Sequence, residues 1–289
     1  MVAEQHNPGD ILHDLGRLIK ALGEYRTVAV LTGGFVPLIY RSMPGLVSPP
    51  TPPLLTTDFD WTVPARLELL GGRSISERLK DSEFVAIPSL GTEPAVIRFQ
   101  PSRFGTERLG PVYAEFLAPL VGSDADRRGV SRDVVVVQPG LTAQALRYLD
   151  ILLVEPIPFD ACTIPEIGLD ETSVILLPSP AGFVLQKLLA WPSREPEKRP
   201  KDLAYVYEVA ILTQKQWSCL AEVVNRLRDG FPSTWFDRVS SLIRREFRSH
   251  DSNGPVAVVR QYMDFPGRAP STKAVWHTVN DFAKSVGMV

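Results

Sequence analysis

The sequence predicts an α+β protein, and three observations carry that expectation. Short β-branched runs fill about the first 175 residues, helical spacing takes over afterwards, and the chain has neither an internal repeat nor a low-complexity tract. The expected division is a mixed sheet flanked by helices over residues 1–177 and an all-helical region over 178–289. With 289 residues, 44% of them hydrophobic and 22% charged, the chain can bury a real core.

The elements follow in order. From Asp10 to Ala21, Ile11, Leu12, Leu15, Leu18 and Ile19 keep a helical rhythm, with Asp10 placed to cap the start. Thr27–Thr32 reads as a buried strand ending at Gly33-Gly34, and Phe35–Tyr40 opens a helix. Five prolines between residues 44 and 53 exclude regular structure there, because each removes a donor and fixes φ. Thr57–Val63 alternates as a strand does. Residues 65–80 look helical with a break at Gly71-Gly72. Phe84–Ile87, Ala95–Phe99, Val112–Leu117, Asp133–Val137 and Ser173–Leu177 are predicted strands, and Gln144–Val154 leads into the last part of this region. Ala181–Trp191, Lys201–Thr213, Lys215–Asp229, Phe236–Arg248 and Ser271–Val286 are predicted helices, with breaks at Asn253-Gly254-Pro255 and Pro266-Gly267.

Charge and composition narrow the function. Thirty-one basic and 33 acidic side chains give a net charge of −2, which argues against binding nucleic acid through bulk positive charge. No apolar run is long enough to span a membrane, and Glu4, Asp10 and Asp14 spoil a signal peptide, so a cytoplasmic protein without a membrane partner is expected. Cys162 and Cys219 make neither a disulfide framework nor a zinc spacing, and read as small buried hydrophobes. The four histidines are scattered without metal-ligand spacing.

The informative stretch is Gly33-Gly34 with Asp58-Phe59-Asp60 downstream. Aspartates at i and i+2 of a strand share a face, and paired carboxylates repel unless a cation lies between them. Hard divalent cations prefer such oxygen ligands. A Gly-Gly turn between strand and helix lets backbone N–H groups approach a phosphate and aims the helix N-terminus at it. A phosphate cradle beside metal-binding carboxylates is the minimum equipment for phosphoryl or nucleotidyl transfer.

This pattern, with Thr56-Thr57-Asp58-Phe59-Asp60-Trp61, resembles the signature of the DNA polymerase β-like nucleotidyltransferase superfamily. Pro180–Ala190 and Lys198–Tyr207 resemble the lysine and aspartate motifs of its minimal members, which include AbiEii-like toxins of type IV toxin–antitoxin systems. The resemblance implies that Gly33, Gly34 and Thr57 contact the phosphates of an NTP, that Asp58 and Asp60 bind Mg²⁺, and that Glu115 completes the metal site or activates the acceptor hydroxyl. It further implies that Lys187 reaches the triphosphate, with Asp202 beside it pairing or binding substrate. On the residues alone Glu115 reads equally as a surface strand residue and Lys187 as a lysine snorkelling from an apolar helix face.

Where many members carry a basic residue ahead of the first aspartate, this chain has Leu54, and Arg41 or Lys187 is the expected substitute. Tyr205 and Tyr207 stand where a second aspartate often closes the last motif. The expected activity is transfer of an NMP to an acceptor hydroxyl on RNA, such as tRNA, or on protein, with a cognate antitoxin as a partner if the role is toxin-like. Modification of a small molecule of aminoglycoside type, and a catalytically silent binding role, are the alternatives. A basic cluster, Arg194, Lys198, Arg199 and Lys201 with Arg244, Arg245 and Arg248, favours a polyanionic acceptor, while interleaved glutamates also suit a solvated face.

Overall fold

The structure is a computed structural model that describes residues 8–54, 56–89, 94–102, 112–120, 122, 133–265 and 267–289. Of the residues named above, Glu4 and Pro266 lie outside these. The chain forms two compact units: residues 1–36 with 55–178, and residues 37–54 with 179–289.

The first unit is built on one mixed sheet. Its described strands are β1 (Val30–Thr32), β2 (Asp58–Thr62), β3 (Phe84–Pro88), β4 (Ile97–Pro101), β5 (Tyr113–Pro119), β6 (Val134–Gln138), β7 (Leu141–Leu146), β8 (Ile157–Asp160) and β9 (Val174–Leu177). They run in the order β3-β4-β5-β2-β1-β9-β8, with β7 also paired to β5 and β6 to β7. The central pair β2 and β5 is parallel, whereas β1–β2 and β4–β5 are antiparallel. Alternation decides the two faces. Phe59 and Trp61 of β2, Ala114 and Phe116 of β5 and Phe99 of β4 are buried together, and Phe99 meets Phe116 edge to face. The opposite face receives Asp58, Asp60, Glu115 and Arg98.

Helix α1 (Pro8–Leu22) buries the predicted apolar stripe, Leu15, Leu18 and Ile19 being fully buried. Its start lies two residues earlier than expected, so Asp10 sits within the first turn, where the dipole favours an acid, rather than capping it. Residues 65–73 correct the sequence expectation of a helix. Gly71 and Gly72 both have positive φ, which ends regular structure, and the flanking backbone is satisfied by side chains instead. The Tyr25 hydroxyl donates to the Arg73 carbonyl and accepts from the Leu70 amide, while Gln138 Nε2 donates to the carbonyls of Leu67 and Glu68. Only α3 (Ile75–Asp81) is helical, started by a reciprocal Ser74–Glu77 capping box. Strands β7 and β8 carried no distinct sequence signal beyond short alternation.

Helix α2 (Phe35–Tyr40) carries the chain from the first unit into the second. The second unit holds α4 (Pro180–Ala190), α5 (Arg199–Leu212), α6 (Trp217–Gly230), α7 (Ser233–Glu246), α8 (Asn253–Arg260) and α9 (Thr272–Ser285). The Asn253-Gly254-Pro255 stretch, expected to be a break, opens α8: proline is tolerated in a first turn, where its missing N–H would be unpaired anyway. A Cβ at Gly254 would come within 2.7 Å of the Glu246 carbonyl, so the glycine permits close packing of α8 against the end of α7. Both cysteines depart from expectation as well. Cys219 is exposed because α6 buries Leu220, Val224 and Leu227 on another face, and Cys162 is half-buried with Sγ 3.2 Å from the Leu169 carbonyl.

Candidate active site

The polar face of the first unit's sheet assembles the predicted residues by register. Thr32 of β1 is opposite Asp60 of β2, Asp60 is opposite Glu115 of β5, and Glu115 is opposite Arg98 of β4. Register partners point to the same side, so the four side chains form one row across four strands. Asp58, two residues from Asp60, falls in the next row, opposite Tyr113. Thr32 is fully buried and anchors the row: its hydroxyl donates to the Asp60 carbonyl at 3.2 Å and receives the Thr62 hydroxyl at 3.2 Å.

Gly33 follows Thr32 directly and has φ +71°, a conformation that disfavours any side chain. A Cβ there would lie 2.0 Å from Asp60 Oδ2, so glycine is required for the carboxylate to lie against the turn. Gly34 then leads into α2, which is only six residues long. A helix this short adds little dipole, so a phosphate at this corner would meet chiefly the N–H groups of the turn. Thr57 precedes β2, with its carbonyl accepting from Tyr113 N at 3.3 Å.

Asp58 is exposed and Asp60 half-buried, both on the same face of β2. A divalent cation fits this pair by donor chemistry, since both supply hard oxygens on one face of β2. Glu115 shares the face, but its carboxylate is ion-paired with the Arg98 guanidinium. No group of three His, Cys, Asp or Glu side chains among the described residues is arranged to hold a metal, so a cation on Asp58 and Asp60 would draw further ligands from phosphate. Arg98 is the residue that the sequence reading passed over. Its polar place in an alternating run was legible, but its neighbour across the sheet was not.

In the second unit, Lys187 and Asp202 come together. Ser179 caps α4 by accepting from Gly182 N, and Lys187 emerges two turns later. Its Nζ lies 3.0 Å from Asp202 Oδ1 and 5.6 and 5.5 Å from the ring centres of Phe183 and Tyr205. At 8% exposure it does not snorkel to water; it ends on a buried carboxylate. Arg194 Nε holds the other oxygen of Asp202 at 3.0 Å, a contact without a sequence signal beyond the basic cluster. Arg41 is committed elsewhere: its Nε donates to Glu208 Oε1 at 2.6 Å and its Nη1 to the Thr51 carbonyl at 2.9 Å. It is therefore a structural cation in this unit. Leu54 is buried.

The sheet thus carries Asp58 and Asp60 on one face, with the Asp60 carboxylate against the Gly33 turn. The chain belongs to the nucleotidyltransferase family, whose model matches residues 11–228. No curated protein matches it. The matched span includes every predicted site residue. No helix of the described residues is long and apolar enough to cross a membrane.

Proposed function

We propose that the protein is a Mg²⁺-dependent enzyme that moves a nucleoside monophosphate from an NTP to a hydroxyl of RNA. The observation that carries this reading is the in-register row of Thr32, Asp60 and Glu115, with the Asp60 carboxylate lying against the Gly33 turn. In this reading the turn amides of Gly33 and Gly34 and the Thr57 segment hold phosphate oxygens. Asp58 and Asp60 bind the cation, which when present offsets negative charge on the phosphoryl oxygens. Glu115 accepts the proton of the acceptor hydroxyl as it attacks the α-phosphate, and pyrophosphate leaves. In the second unit Lys187 and Asp202, the latter also held by Arg194, form a buried ion pair.

RNA is favoured as acceptor by the surface chemistry of the second unit. The Trp191 ring carries Arg199 at 5.2 Å and Arg245 at 5.9 Å, bringing guanidinium groups from α5 and α7 to one aromatic plane. Arg244 and Arg248 are exposed nearby in sequence, and Lys198 and Arg194 lie on the segment leading into α5. Stacked, partly immobilised guanidinium groups suit a phosphate backbone.

The test is incubation of the full chain with each α-labelled NTP, Mg²⁺ and total cellular RNA. Transfer of label to RNA with stoichiometric pyrophosphate, lost in Asp58→Asn and Asp60→Asn, is the expected result. Absence of pyrophosphate release with all four NTPs overturns the reading. Label on a small molecule instead of RNA would change the acceptor and leave the chemistry.

A further inference from the structure

The row of side chains on the first unit's sheet extends one strand beyond the carboxylates. Arg98 lies opposite Glu115, which lies opposite Asp60. At about 4.8 Å between strands, the Arg98 and Asp60 backbones stand roughly 10 Å apart, within the combined reach of an arginine and a bound polyphosphate. The guanidinium is paired with Glu115 and sits 5.8 Å from the centre of the Tyr113 ring, and Tyr113 is the register partner of Asp58. Arg98 thus borders both aspartates' rows. Strands β1, β2 and β5 contain neither lysine nor arginine, so among the described strands here Arg98 is the cation offered to an anionic ligand.

The pair is also easy to break. Arg98 retains 45% of its side-chain exposure and Glu115 17%, and ion pairs so open to water are weak. A guanidinium fork binds phosphate oxygens as readily as carboxylate oxygens. A triphosphate arriving with several negative charges competes directly for Arg98.

We propose that Arg98 is a nucleotide-binding residue that exchanges partners. It neutralises Glu115 in the nucleotide-free protein, moves to the phosphates when nucleotide binds, and so releases Glu115 toward the cation held by Asp58 and Asp60. The proposal rests on the nucleotidyltransferase reading above. Its consequence is a coupling: the sheet presents its third carboxylate only when polyphosphate is present, so cation and nucleotide strengthen each other's binding.

The experiment measures Mn²⁺ binding alone, by the loss of the free-ion electron paramagnetic resonance signal, on the full chain without nucleotide. Arg98→Met should bind Mn²⁺ about tenfold more tightly than the unsubstituted protein, because a unit positive charge beside a ligand is removed. Arg98→Met with Glu115→Gln should return to the starting affinity. ATP binding, followed separately by calorimetry, should weaken roughly tenfold in Arg98→Met and recover in part in Arg98→Lys. Unchanged Mn²⁺ affinity in Arg98→Met, a gain that survives Glu115→Gln, or no Mn²⁺ binding by any of the three proteins overturns the exchange. Pyrophosphate release by the unsubstituted protein separates the two ideas. If it occurs while Mn²⁺ affinity ignores Arg98, the exchange fails and the reaction stands. If Mn²⁺ affinity responds as expected but no NTP is turned over, the reaction fails and the exchange stands.

Discussion

Two arginine–glutamate pairs differ in everything except their chemistry. Arg98 and Glu115 face outward from the sheet of the first unit, with 45% and 17% of their side chains exposed. Arg41 and Glu208 lie inside the helical unit with 17% and 1% exposed, and their closest approach is 2.5 Å. Burial pushes the Glu208 carboxyl above its ordinary value, and the attraction of Arg41 offsets only part of that rise. Glu208 Oε2 has no hydrogen-bond partner among the described residues. The sheet pair can be surrendered to a ligand at small cost, whereas the helical pair cannot be opened without stranding a charge. Exposure, more than the identity of the partners, decides which pair can be opened cheaply.

The comparison predicts opposite responses in the two regions. On the sheet, Asp60→Asn should lower the rate of pyrophosphate release by about a thousandfold, as expected for the loss of a metal ligand, while the melting temperature stays level or rises. Parallel losses of rate and stability would show that Asp60 is structural and break the comparison at its strongest point.

In the helical unit the reverse is expected. Arg41→Met should cost about 3 kcal/mol in urea unfolding, since Glu208 is left buried without its cation, and the added substitution Glu208→Leu should recover most of the loss. This penalty depends on pH. A carboxyl whose folded pKa is raised contributes stability that is present below its unfolded value and is lost as pH rises through the folded value. Removing Arg41 raises the folded value further, so the loss should be larger at about pH 8 than at about pH 5. A loss that is equal at both would place the cost in packing and not in charge.

Lys187 is intermediate, buried but sharing its carboxylate with a second cation. Lys187→Met should cost about 1–2 kcal/mol in urea unfolding, limited because Arg194 still holds Asp202. A loss of about 3 kcal/mol would move Lys187 into the same group as Arg41. The smallest effect is expected for the exposed pair: Arg98→Met should change unfolding stability by less than about 1 kcal/mol.

Much of this molecule is written in local sequence. Alternation in Asp58-Phe59-Asp60-Trp61 fixed which side chains share a face, and helical spacing located α1 and most helices of the second unit. The Gly33-Gly34 turn was legible as a glycine pair between a strand run and a helical one, while the contact of Asp60 with Gly33 came from the fold. The helix expected over residues 65–80 failed where side chains distant in sequence, Tyr25 and Gln138, satisfied the backbone instead. Asn253-Gly254-Pro255 failed because a helix's first turn tolerates the very residues that end one.

What the chain determined by itself is therefore periodicity, the location of its carboxylates and glycines, and their placement at strand ends. Tertiary structure decided which strands became neighbours, and with that the row from Thr32 through Asp60 and Glu115 to Arg98. It also decided that Lys187 meets Asp202 and that residues 37–54 belong with the helical unit. The physical reason is that side-chain direction depends on residues a few positions apart. Strand order and ion-pair choice depend on burying apolar faces across the whole unit, and no window of sequence contains that information.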